Sequence, residues 1–239
     1  MPPVTQPPRP AQPARRQQAR QQQARQQQAR RQQARRARRA GSDSPDLDSP
    51  DLREAILAAT AGLLADHQFA GLAVRDILRA AGVSRGSFYF YFDSKQDVLA
   101  ELVRRAVTQG HVAASPWLAR PPDKIAALRA GTAAGAMLWR ANAPVLRAIV
   151  ENWRTEPRLT ELWLEQMQSF TDAALAQISA DEQVLKRLGG LDIAAVVGSL
   201  TWLSERLYYL AATGTPPYDN QDTLVSTLVH IWASTLYGT

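Results

Sequence analysis

An all-α protein is predicted from three observations. After residue 50, apolar residues recur at three- and four-residue spacing along most of the chain. No segment sustains the period-two alternation of a half-buried strand. Several of the periodic stretches open on Ser, Asp, Asn or Pro and stop at Gly or Pro, as helices do.

Length and composition bound the rest. The chain has 239 residues, 45% of them hydrophobic, enough for a sizeable core in one or two domains. There are no cysteines, which excludes a disulfide framework and thiolate chemistry. No apolar run reaches the ~18 residues of a membrane span. The first residues carry no apolar signal-peptide core, so a cytoplasmic location and no membrane partner are expected. The formal charge of +6 conceals a division: residues 1–40 hold eleven arginines and no acid or lysine. That leaves 17 Lys and Arg against 22 Asp and Glu, a formal −5 on the remainder. Any nucleic-acid site on the body must therefore be local.

The elements follow in order. Residues 14–40 repeat Ala-Arg every five residues, separated largely by glutamine. Such a period advances ~140° per repeat and builds no continuous face. With only alanine to bury, residues 1–48 read as a disordered or fleetingly helical arm ending in an acidic hinge. Ser49, Pro50 and Asp51 mark a helix start, and that first helix runs to about His67 with Leu52, Ile56, Ala59, Leu63 and Leu64 as its stripe. A short helix spans Val74 to Ala81 and stops at Gly82. Ser84 caps a third, to about Phe90, and Asp93 or Ser94 caps a fourth.

Pro116, Pro121 and Pro122 mark a break. Further helices are expected from about Asp123 to Ala141, from Asn142 to Trp153, from Glu156 to Ser179, from Asp192 to Ala212 and from Asn220 to Leu236. A tight glycine turn between the second and third of three helices within 45 residues makes a helix-turn-helix unit.

The stretch from Gly82 to Lys95 is the most distinctive in the chain. It mixes Ser84, Arg85 and Ser87 with Phe88, Tyr89, Phe90, Tyr91 and Phe92, anchoring rings beside outward polar groups. In order and type, Gly82, Val83, Ser84, Gly86, Ser87, Phe88, Tyr89, Tyr91, Phe92, Ser94 and Lys95 resemble the signature of the TetR family of bacterial transcriptional regulators. Ser204-Glu205-Arg206, Glu161-Leu162-Trp163 and the segment from Leu228 to Trp232 are similar to its EthR-like branch. The resemblance covers roughly residues 50–239 and implies a DNA-binding helix-turn-helix domain at 49–95. It also implies a ligand-binding and dimerisation domain at 96–239.

Arg85 stands near the start of the reading helix, within reach of a guanine edge or a phosphate. Ser84 and Ser87 are candidate donors to phosphate or bases, and Gly86 permits close approach. Tyr89 and Tyr91 are read as rim hydroxyls for phosphate, with core packing as the alternative. Lys95 at the start of the fourth helix is a phosphate candidate, and Arg75 a weaker one. The family often has Thr or Ser where Ala73 stands. Phe88 and Phe92 are assigned to the core; Phe90 is left unassigned.

All six tryptophans lie at or beyond residue 117. Trp139, Trp163 and Trp232 either pack a core or, facing Gly131 and Gly135, line a tunnel. The resemblance implies an aromatic channel for a small hydrophobic effector, carried over onto Leu128, Gly131, Gly135, Trp139, Trp163, Met167, Phe170, Thr201, Ser204 and Trp232. Two asparagines of that branch fall on Thr201 and Ser204, and a phenylalanine on Gly135. The last two helices are apolar on more than one face, as expected of a homodimer interface.

His67, His111 and His230 share no metal-ligand spacing, and no nucleophile motif or phosphate loop is present, so no enzyme, metal or cofactor is expected. The expected partners are a double-stranded DNA operator, a small hydrophobic effector and a second copy. The competing reading is a non-specific nucleic-acid-binding protein driven by the arm.

Overall fold

A computed structural model describes residues 50–238; the arm, the hinge and the expected Ser49 cap lie outside the described residues. The described residues form ten α-helices and one 3-10 turn, with no strand among them. The helices are α1 (Pro50–Asp66), α2 (Val74–Ala81), α3 (Arg85–Tyr91), α4 (Lys95–Leu118), α5 (Lys124–Ala141), α6 (Ala143–Asn152), α7 (Pro157–Ile178), α8 (Glu182–Arg187), α9 (Ile193–Ala212) and α10 (Gln221–Leu236); the turn, Phe69–Gly71, follows α1.

Short polar side chains set the helix starts. Ser84, Ser94, Asp123, Asp181, Asp192 and Asn220 each accept a backbone N–H of their own first turn. Of the two candidates for α4, Ser94 is the cap. At the start of α2, Ala73 has no such oxygen; Asp76 instead reaches back to its N–H at 3.1 Å. Gly82 ends α2 with φ of 65°, a left-handed conformation that favours glycine.

Two expectations change. Pro116 does not break the chain but lies in the last turns of α4, and the break comes at residues 119–123. Proline cannot donate to the carbonyl of Val112, and the Ser115 hydroxyl does so instead at 2.8 Å. The second is α8, a short helix between the expected helices that end at Ser179 and start at Asp192. Acidic Asp181 and Glu182 open it, Lys186 and Arg187 close it, and Val184 is buried beneath.

The packing forms two clusters. One joins Ile56, Phe69, Ile77, Phe88 and Phe92 of the first helices to Val98 and Val103 of α4, Ile149 of α6 and Trp163 and Met167 of α7. The other gathers Leu128, Val197, Leu200, Leu224, Leu228 and Trp232 from α5, α9 and α10, with Trp117 from the end of α4. Polar contacts pin the same helices outside. Arg105 of α4 meets both carboxylate oxygens of Glu54 on α1 at 2.7 Å, and Arg53 meets Glu101 at 2.9 Å. Arg158 of α7 pairs with Asp97 at the start of α4 at 2.8 Å. With one or both side chains of each pair still reached by solvent, these pairs orient more than they stabilise.

Phe88 and Phe92 occupy the core as assigned, and Phe88 is fully buried. Phe90 is 57% exposed. Phe88→Ala should therefore destabilise the fold by about 3–5 kcal/mol, whereas Phe90→Ala should stay within about 0.5 kcal/mol. Urea unfolding of the two variants measures both; equal losses would overturn this division of the rings.

Candidate nucleic-acid interface and ligand cavity

The reading helix is short, and its cap decides which residues face out. Ser84 Oγ accepts the Ser87 N–H at 3.0 Å and lies 2.8 Å from Ser87 Oγ. Three residues after the cap, Ser87 points back toward it and is only 3% exposed. Its hydroxyl is engaged with the Ser84 cap in this structure. Arg85, Gly86 and Tyr89 are exposed, and the Arg85 guanidinium sits 5.5 Å over the Tyr89 ring. Tyr91 is half-buried and edge-on to Phe90 at 5.0 Å. Arg75 projects from α2 beside Asp76, 3.8 Å away and largely in solvent. Phe90 adds an exposed ring to the same helix.

Lys95 is placed differently from expectation. Its ammonium donates to the carbonyls of Phe69, Ala70 and Leu72 at 2.8, 3.1 and 2.6 Å and lies 4.7 Å over the Phe69 ring. All three protons of the ammonium are directed at the turn that follows α1. Partial burial holds its pKa below the ordinary lysine value. The side chain clamps that turn through these three bonds.

Behind this unit, α4, α5, α6, α7, α9 and α10 line a cavity of about 190 Å³. All ten residues carried over as channel-lining, Leu128, Gly131, Gly135, Trp139, Trp163, Met167, Phe170, Thr201, Ser204 and Trp232, stand in its wall. Gly135 stands in the wall, but the room it leaves is taken by a neighbouring ring. A methyl there would meet Tyr208 Oη at 2.8 Å, so the tyrosine ring of α9 fills the space the glycine leaves. Gly110 does the same for Phe170, whose Cζ lies 2.9 Å from where a methyl would stand. Gly131, by contrast, meets only ordinary contacts with the α4 backbone, at 3.6 Å.

The polar wall groups are mostly engaged. Thr132, Thr201 and Ser204 donate to carbonyls one turn earlier, at 2.8, 3.0 and 2.9 Å. Tyr208 donates to the Thr132 carbonyl at 3.1 Å, and burial pushes its pKa well up. Trp232 Nε1 donates to Ser204 Oγ at 2.9 Å. Sequence reasoning missed Gly110, Trp117, Thr132, Glu205 and Tyr208 as wall residues. Glu205 was legible only as part of Ser204-Glu205-Arg206.

A solvent-facing reading helix joined through a long helix to an apolar cavity defines a helix-turn-helix transcriptional regulator with a ligand-binding C-terminal domain. Residues 56–102 match "Bacterial regulatory proteins, tetR family", and residues 128–238 match "Transcriptional regulator EthR, C-terminal domain". The chain belongs to the TetR family, on its EthR-like branch.

It is 32% identical over 192 residues to the HTH-type transcriptional regulator EthR of Mycolicibacterium smegmatis, covering 78% of this chain and 87% of that one. The EthR of Mycobacterium tuberculosis is 31% identical over 186 residues, covering 77% and 86%. Among solved structures, a TetR-family regulator from Syntrophomonas wolfei has a TM-score of 0.64 at 14% identity, covering 78% and 95% of the chains. GusR of Salmonella enterica scores 0.62 at 15% identity, covering 79% and 97%. The last two share the fold. The relatives are transcriptional regulators, and this chain is one of them rather than an enzyme. Among the described residues no helix is long and apolar enough to cross a membrane.

If Lys95 clamps the turn, Lys95→Met should lower unfolding stability by about 1–3 kcal/mol without any DNA present. Thermal unfolding of the free protein checks this. Unchanged stability would return the side chain to a role outside the fold.

Proposed function

We propose that the protein is a dimeric repressor, bound to a near-palindromic DNA operator and released when a small hydrophobic molecule fills the cavity. The observation that carries this reading is the shared helix α4. Its first residue clamps the turn behind the reading unit, and Ala106, Val107, Gly110, Ala113, Ala114 and Trp117 further along it form the cavity wall. A ligand that prefers one tilt of α4 thereby biases the position of α3.

On the DNA side, Arg85 and Tyr89 present the charge and hydroxyl suited to a major groove and its flanking phosphates. Ser84, Gly86, Tyr91, Arg75 and the backbone N–H of Lys95 complete the contact set. On the opposite side, Val196, Leu203 and Leu210 of α9 and Ile231 of α10 are only partly covered. A second copy would cover them by pairing these two helices in a four-helix interface. Two reading helices related by that axis would then face successive turns of the groove. The basic arm, outside the described residues, would add phosphate contacts without sequence preference. That the body is acidic while the reading surface is exposed favours this reading over one driven by the arm alone.

The test pairs both ends of α4 on an operator selected from random DNA by the purified protein. Arg85→Ala should weaken binding by about 1–3 kcal/mol. Gly131→Trp, which introduces an indole at the cavity wall, should weaken it too, while Gly131→Ala should remain within about 0.5 kcal/mol. Gel-shift titrations measure all three. Undiminished binding by Gly131→Trp would separate the cavity from DNA release, and undiminished binding by Arg85→Ala would move the reader elsewhere.

A further inference from the structure

The cavity wall carries one side chain that its apolar surroundings do not explain. Glu205 of α9 is 5% exposed, and its Oε1 has no hydrogen-bond partner. Its Oε2 lies 3.9 Å from Arg206 Nε, too far for a hydrogen bond, and the Arg206 side chain is half in solvent. Every hydroxyl in the wall already donates elsewhere. A buried acceptor left without a partner is strongly disfavoured. Burial accordingly pushes the Glu205 carboxyl up, with Arg206 drawing it partly back.

Two features of the wall say which ligand group would complete it. Among the described residues, no Lys, Arg or His lines the cavity, so nothing there would neutralise a carboxylate or phosphate. Trp117, Trp139, Trp163, Phe170, Tyr208 and Trp232 bring aromatic rings to an otherwise mostly aliphatic wall. Aromatic faces attract an ammonium, and a carboxylate gives it a charge-assisted hydrogen bond. The other unmet group, the buried Trp163 Nε1–H, is a donor fitted to an acceptor oxygen on the same molecule.

We propose that the cavity selects an apolar amine, whose ammonium is held by Glu205 against the aromatic wall. This rests on the reading of the cavity as the effector site and names the chemical class of the effector. Uncharged lipids of the same length lack the group Glu205 needs, and fatty acids bring the wrong charge into a site without a cation.

The experiment titrates the purified full-length protein with n-alkylamines from hexyl to dodecyl and with the alcohols and carboxylates of the same lengths. Tryptophan fluorescence and calorimetry report binding; a gel shift reports operator release. The best amine should bind about tenfold or more tighter than its alcohol, and the carboxylate weakest. Glu205→Gln should reduce the amine to the affinity of the alcohol while leaving the alcohol unchanged. No amine preference at any length, or an amine preference that survives in Glu205→Gln, overturns the inference. An amine preference lost in Glu205→Gln, with operator affinity unaffected by bound amine, upholds the Glu205 site and instead defeats the effector reading on which the function rests.

Discussion

The fold depends on one helix being anchored at both ends by different chemistry. At its N-terminus, α4 is fixed by the Lys95 ammonium on three carbonyls of residues 69–72 and by Asp97 paired with Arg158 of α7. Toward its C-terminus, Trp117 is buried edge-on to Trp232 at 5.7 Å, and its indole N–H donates to Tyr237 Oη at 3.0 Å. Between these anchors the helix gives one face to Ile56 and Phe88 and, further on, another to the cavity. Close packing leaves little freedom for one end to move alone. The cluster containing Phe88 also contains Trp139, Trp163 and Met167, so one core continues from the reading unit into the later helices.

The cavity is shaped by exchanges of large for small across facing helices. Tyr208 occupies the room beside Gly135, and Phe170 that beside Gly110, with the His111 ring stacked on Phe170 at 4.2 Å. The branch resembled here has a phenylalanine at Gly135 and asparagines at Thr201 and Ser204. In this chain the ring comes from α9 instead, and both hydroxyls are taken up by α9 carbonyls, Ser204 also accepting from Trp232. The hydrogen-bonding capacity left in the wall shifts to Glu205 and Trp163. A relative's ligand therefore does not transfer by fold alone; the unmet polar atoms are the better guide to what enters.

What was legible in the sequence is what depends on neighbours a few residues away. Ser84, Asp123, Asp192 and Asn220 announce their helices because a cap acts within its own first turn. Phe88 and Phe92, four residues apart on one face, declare the core side of the reading unit. The burial of Ser87 was not legible from its polar type, although its spacing from Ser84 is what brings the two hydroxyls together. Lys95 could not be read locally, its partners lying 23 to 26 residues back. Tyr208 and Glu205 stood in a helix apolar on several faces, where only packing against α5 and α10 decides which residues look into the cavity. The ten carried-over wall positions came from resemblance, since no spacing in the chain would bring their four helices to one point.

The central claim is that the cavity and the turn behind the reading helix are coupled through α4. Amide hydrogen exchange on the full-length protein tests it most directly, comparing wild type with Gly131→Trp in the absence of DNA. The account predicts altered exchange at residues 69–72 and 95–99, far along α4 from the substituted wall. Exchange that changes only around the cavity, in α5, α7 and the second half of α4, with residues 69–72 untouched, would contradict it.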